Sequence, residues 1–178
     1  MSALASTDAG ITGHAILAER ELTVRRPAHA DLSALAAHLQ EMQEHYGQPV
    51  TEGAALEAAA LVCSLSDGPF EPRALVALLD DRLVGSAVLN VTFPAAELSR
   101  SLYIRDLYVA RVGRRCGVGG ALVKAAAALT VAQGFSALDW TTDATNDGAR
   151  AMYERHGARQ VNRVYYRMVG ATLAVHGH

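Results

Sequence analysis

The spacing of apolar residues changes period several times along this chain, and each change predicts an element. Leu22-Thr23-Val24-Arg25-Arg26 alternates and stops at Pro27, as a half-buried first strand does. Leu32, Leu35, Leu39 and Met42 then recur at steps of three and four, which predicts a helix behind an Asp31 N-cap, fading near Tyr46-Gly47 before Pro49. Residue 51 to about residue 61 is Ala-rich and predicts a second helix capped by Thr51. Asp67-Gly68-Pro69 breaks the chain. Residues 74–79 and 83–91 predict a hairpin across Asp80-Asp81-Arg82, and 94–101 a loop. Residues 102–109 read as a strand, 117 to about 132 as a helix ended by Gly134, and 137–141 as a short strand. Residues 146–156 read as a helix stopped by Gly157, and 161–168 as closing strands turning at Asn162-Arg163.

This order is mixed α/β (α+β), with one crossover helix between two strands. At 178 residues the chain fits one domain, expected over 21–173, with a leader at 1–20 and a tail at 174–178. Its 51% hydrophobic and 19% charged residues are a globular composition. A formal net charge of −2 offers no general attraction to nucleic acid or acidic membranes. Two cysteines, Cys63 and Cys116, neither make a disulfide framework nor show zinc spacing, so a reducing cytoplasmic setting is expected. His38 and His45 share a helix face, but nothing completes a metal set, and no metal is expected. No apolar run reaches the roughly 20 residues a bilayer span needs. The first twenty residues carry Asp8 and lack a basic start before an apolar core, so no signal peptide is expected.

Candidate chemistry sits in the second half. Arg114-Arg115-Cys116-Gly117-Val118-Gly119-Gly120 lies between a strand and a helix, where glycines let the backbone approach a phosphate. The exposed N–H groups and the helix dipole there supply positive potential. The segment lacks the last glycine of the dinucleotide fingerprint and has no Gly-Lys-Ser/Thr, so it is neither that motif nor a Walker A loop. By itself it also fits ordinary turn chemistry. Downstream, Asn146, Ala149, Tyr153 and Gly157 fall at intervals of three and four and share one helix face. A tyrosine so placed serves equally well as core.

Together, at this separation, the loop and the tyrosine helix resemble the GNAT superfamily of N-acetyltransferases, which move acetyl from acetyl-coenzyme A to an amine. The resemblance implies the GNAT fold: a mixed, mostly antiparallel sheet flanked by helices and splayed between 102–109 and 137–141, with acetyl-coenzyme A in the wedge. It implies that Arg114, Arg115, Cys116, Gly117, Val118, Gly119 and Gly120 hold the pyrophosphate. Main-chain groups of Leu107, Tyr108 and Val109 would receive the pantetheine arm, with Asn146 and Ala149 near that arm and Arg155 toward phosphate. Cys116 would contribute its N–H and not its thiol. Tyr153 would be the general acid for the departing thiolate, a nearly balanced transfer, since a phenol titrates near about 10 and a thiol near about 8.5. No residue announces itself as the base; a water chain toward a carboxylate is the expected route.

Within the superfamily, Leu-Tyr-Ile-Arg-Asp-Leu-Tyr-Val at 102–109, Leu-Asp-Trp at 138–140, Gly157-Ala158 and the late Tyr-Tyr-Arg-Met are similar to diamine (spermidine/spermine) N-acetyltransferase-like proteins. That branch implies substrate roles for Tyr46 and Glu44 on the first helix, for Arg105, and for Asp139, Trp140 and Thr141. It also departs: Arg105 stands where the branch has a glutamate, and Gly47 follows Tyr46 where it has another. Like charges about 4 Å apart cost on the order of 4 kcal/mol at an effective dielectric of 20. Arg105 therefore opposes a simple polyamine, and either pairs with a substrate carboxylate or is a solvated surface arginine. Trp140 reads equally as core. The expected reaction is direct acetyl transfer to a small primary amine by a homodimer. The rivals are a protein lysine or N-terminal acetyltransferase and a non-catalytic coenzyme A sensor.

Overall fold

The computed structural model describes residues 13–17 and 20–176. The chain runs β1 (Gly13–Leu17), β2 (Arg20–Arg25), α1 (Leu32–His45), α2 (Ala54–Cys63), β3 (Arg73–Leu79), β4 (Arg82–Thr92), β5 (Ser101–Val109), α3 (Val118–Ala132), β6 (Leu138–Trp140), α4 (Asp147–Arg155) and α5 (Gly170–His176). One sheet holds six strands in the order β1-β2-β3-β4-β5-β6. Neighbours pair antiparallel except β5 and β6, which α3 joins as a parallel crossover. This is the expected mixed, mostly antiparallel sheet flanked by helices. No described helix is long and apolar enough to cross a membrane.

The core divides across β3 because side chains alternate along a strand. Leu75, Ala77 and Leu79 pack with Leu22, Val84, Leu122, Ala126 and Leu129 beneath α3. Val76 faces the other way, into a cluster with Leu35 of α1 and Ala59 of α2. Each fully buried leucine is worth about 1.5–3 kcal/mol, so these two layers hold the helices to the sheet. A glycine permits the closest approach: a Cβ on Gly85 would lie 2.8 Å from Val118 Cγ1 and 3.3 Å from Ala77 Cβ. The first turn of α3 rests on β4 only because nothing projects there.

Several expectations are met with altered detail. Asp31 holds the N-cap position of α1 without a side-chain cap bond. Its carboxylate instead takes the Arg25 guanidinium at 2.7 and 2.9 Å and the Ala28 N–H at 2.7 Å. The β3–β4 turn has two residues, Asp80 and Asp81, with φ of 51° and 60°, a mirror-image turn that suits the strand twist; Arg82 already pairs with Leu79. Helix α2 starts at Ala54, three residues later than expected, because Gly53 at φ 82° breaks the helical path. Thr51 contributes only its carbonyl, to the Ala54 N–H at 3.1 Å.

Both chain ends differ from the sequence reading. Within the expected leader, β1 pairs with β2 from Gly13↔Val24 to Leu17↔Arg20; residues 1–12, 18 and 19 lie outside the described part. The closing strands expected over 161–168 do not form. Val161, Val164, Tyr165 and Tyr166 are 67%, 73%, 63% and 87% exposed. Strand propensity without a ladder partner does not make a strand, and no described strand pairs with the outer edge of β6. α5 follows, crossing the boundary expected at residue 173.

Two irregularities shape the functional end. β5 and β6 pair only from Leu102↔Leu138 to Ile104↔Trp140, while β5 continues to Val109, so the strands part there. On the other side of β5, Val88 pairs with Asp106 and Leu89 with Ile104. Arg105 is the extra residue of a β-bulge, a feature that re-aims side chains next to it.

Candidate active site

Leu107, Tyr108 and Val109 pair on one side with Ala87, Ser86 and Gly85 of β4 and lie beyond the last β5–β6 pair. An extended chain laid in that wedge can meet their main-chain groups as another strand would. The Tyr108 side chain is buried and points away: its hydroxyl donates to Glu41 Oε1 at 3.0 Å. Burial, followed by the Glu41 carboxylate, pushes that phenol's pKa up.

The loop after β5 turns through two left-handed residues, Arg115 at φ 63° and Gly117 at φ 75°. Gly117 is the N-cap of α3, so the N–H groups of residues 117–120 open the helix without intrahelical acceptors. That is a donor set for pyrophosphate oxygens, and these residues fit coenzyme A on geometry. Arg115 is exposed. Arg114 is tied back, its Nε donating to the Val109 carbonyl at 3.2 Å and its guanidinium meeting His45 Nε2 at 3.3 Å. Cys116 is half-buried, its thiol 3.6 Å from the Arg114 carbonyl and 3.9 Å from an Arg20 nitrogen. A Cβ on Gly119 would make only ordinary contact with Met152 Cε at 3.5 Å, whereas any Cβ on Gly120 would collide with His156. Gly120 thereby lets α3 lie close against His156, the C-cap of α4.

Asn146 caps α4, its side chain accepting from the Ala149 N–H at 3.2 Å. On this helix the half-buried Tyr153 packs on Trp140, ring centroids 5.0 Å apart. Burial raises the Tyr153 pKa and Tyr46 raises it further. Tyr46 caps the C-terminus of α1; its own pKa is raised by burial and then by Asp106 and Asp143, with Arg114 opposing. Tyr46, Asp106, Asp143, Arg114 and Tyr153, each from a different segment, thus share one electrostatic neighbourhood. Asp106 is exposed by area, yet enough protein surrounds it to push its carboxyl pKa up, against the pull of Arg105.

The remaining expected residues are placed less centrally. Arg105, Asp139 and Thr141 are exposed. Thr141 Oγ1 bonds the Tyr103 hydroxyl at 2.9 Å, and Glu44 accepts from Gln40 at 3.0 Å along α1. Arg155 is exposed in the last turn of α4, and Ala149 is half-buried beside Asn146. Asp143 carries no sequence signal, being one polar residue in a polar loop, and Asp106 carries none that separates a role in orienting strand main chain from one in pairing with neighbours of Arg105. Among the described residues no group of three or more His, Cys, Asp or Glu could hold a metal ion.

Known proteins agree with this geometry. A Bacillus subtilis protein called an uncharacterized N-acetyltransferase, YhfO, is 26% identical over 136 residues, 76% of this chain and 89% of its own. An integron cassette protein from the mobile metagenome of V. cholerae superposes with a TM-score of 0.70 at 25% identity, over 86% of this chain and 96% of that one. An aminoglycoside acetyltransferase from an uncultured soil metagenomic sample, solved with sisomicin, shares the fold with a TM-score of 0.64 at 21% identity, over 83% and 97%. The model of the acetyltransferase (GNAT) family matches residues 36–158, a span that takes in the wedge, the glycine loop and the tyrosine helix. The chain belongs to that family and is an acetyl-CoA-dependent acyltransferase.

Proposed function

We propose that this enzyme transfers acetyl directly to a primary amine of a small molecule, an amino acid, diamine or related amine, with Tyr153 as the general acid. The observation that carries the reading is the Trp140–Tyr153 contact. Trp140 is the last residue that β6 pairs with β5, and its contact with the Tyr153 ring supports a phenol facing the wedge that opens there. Acetyl-CoA, when bound, supplies the acetyl group as a thioester. The N–H groups at 117–120 and Arg114 would hold its phosphates, and Leu107, Tyr108 and Val109 its arm. A phenol already carries its proton at neutral pH, and burial raises the Tyr153 pKa further, which leaves that proton available to a departing sulfur.

Asp106 and Asp143, both acting on Tyr46, support a cationic acceptor of the diamine type and offer a carboxylate end to a water chain that removes the amine proton. Arg105, beside Asp106, supports an acceptor that also carries a carboxylate. Apolar side chains exposed over 161–169 and the unpaired outer edge of β6 among the described strands support a homodimer. Two free thiols, Cys63 and Cys116, support a cytoplasmic setting. The test is coenzyme A release from acetyl-CoA across polyamines, amino acids, aminoglycosides and lysine peptides. Turnover on a small amine supports the reading; turnover on peptides alone overturns it.

A further inference from the structure

One oxygen joins α1 to the loop. Glu41 Oε1 accepts from the Tyr108 hydroxyl at 3.0 Å and from the Arg111 N–H at 3.2 Å. One helical turn further, His45 Nε2 meets the Arg114 guanidinium at 3.3 Å. Residues 41 and 45 share a helix face, and their partners at 108, 111 and 114 are the successive supports of the path from β5 to Gly117. Met42, between them, is buried with Tyr108 and Ala110. The path has little internal support of its own. Of its backbone bonds, Gly113 to Ala110 is 2.9 Å, but Arg114 to Arg111 and Cys116 to Gly113 are each 3.4 Å.

We infer that Glu41 is a positioning residue for coenzyme binding: by holding the Arg111 N–H and the Tyr108 hydroxyl it sets where residues 114–120 present their donors. The inference rests on the reading of that loop as the pyrophosphate site. It assigns Glu41 to the donor side, away from the acceptor carboxylates. It also ties the loop to Tyr46, the cap that follows His45 at the end of α1.

Coenzyme A binding by titration calorimetry on the full chain, without any acceptor, tests this. Glu41→Ala is expected to weaken the coenzyme A Kd about tenfold. The KM for acetyl-CoA should rise in parallel, with kcat at saturating donor within about threefold. Glu41→Gln retains an acceptor oxygen and should recover most of the affinity. Tyr108→Phe should weaken binding by itself and add little on top of Glu41→Ala. Melting curves accompany each variant, and if Glu41→Ala fails to fold, Glu41→Gln and Tyr108→Phe carry the comparison. A folded Glu41→Ala or Tyr108→Phe that binds coenzyme A within twofold of wild type, or that loses kcat at unchanged Kd, overturns the inference. A wild-type chain that binds no coenzyme A defeats the loop reading instead, which keeps the two failures distinct.

Discussion

The Tyr153 ring packs on the Trp140 indole at 5.0 Å and 59°, joining α4 to the last residue that β6 pairs with β5. An aromatic pair of this kind contributes about 0.5–1.5 kcal/mol beyond its buried area. Its greater consequence is placement, since it fixes the Tyr153 ring against the end of β6.

Replacing Tyr153 with Phe keeps the ring and removes the proton. We expect kcat to fall by about 10–10³, with acetyl-CoA affinity within a few-fold of wild type. Steady-state kinetics beside binding measurements decide this, and unchanged turnover would remove the general-acid role.

Arg105 is the bulge residue next to Asp106, and its charge opposes the rise in the Asp106 pKa. Reversing that charge in Arg105→Glu is expected to move acceptor preference toward polyamines and away from carboxylate-bearing amines. The kcat/KM ratio for a diamine against an amino acid is the measurement. An unaltered ratio makes Arg105 a bystander.

His38 gives the fold a pH dependence. It is buried, its Nε2 meets Ser86 Oγ at 3.1 Å, and its Nδ1 has no partner. The charged groups nearby reduce to Glu41, and Tyr108 packs on the ring at 5.2 Å. Burial pulls its pKa down from 6.5 to about 4. A folded-state pKa below the unfolded value means that the unfolded chain binds the proton first. Stability is therefore full above about pH 6.5 and is lost as pH falls toward 4, by on the order of 3 kcal/mol. Melting temperatures of wild type and His38→Gln over that range provide the check: the variant should show a flatter profile, and parallel profiles would assign the loss to other groups.

Gly85 sets the height of α3 above the sheet. Gly85→Val forces Val118 and Leu122 away, an overpacking that costs about 1–3 kcal/mol. A melting temperature lower by roughly 3–10 °C is expected, with weaker coenzyme A binding because residues 117–120 move with the helix. A variant that melts as wild type does would show that α3 has room to shift.

Most elements were legible in the chain alone because their causes are local. The apolar steps from Leu32 to Met42 make a helix wherever they sit, Gly117 and Gly134 bound α3, and Asn146 caps α4 within three residues of itself. The glycine loop and the tyrosine helix were legible for the same reason, each being a short stretch whose chemistry its own residues supply. Other features depend on partners far along the chain. The run at 161–168 has strand composition but no partner strand among the described residues, while 13–17 forms a strand because β2 offers it an edge. Asp143 and Tyr46 lie almost a hundred residues apart, and no periodicity announces that Asp106 acts on the same phenol. Nothing in the spacing of Glu41 along its helix announces that its oxygen meets Arg111 and Tyr108. The sequence determined the elements and the motifs through short-range sterics and hydrogen bonding. Only the tertiary structure decided which charges face one another, because that follows from how the sheet, the bulge at Arg105 and the close seat of α3 on Gly85 are packed.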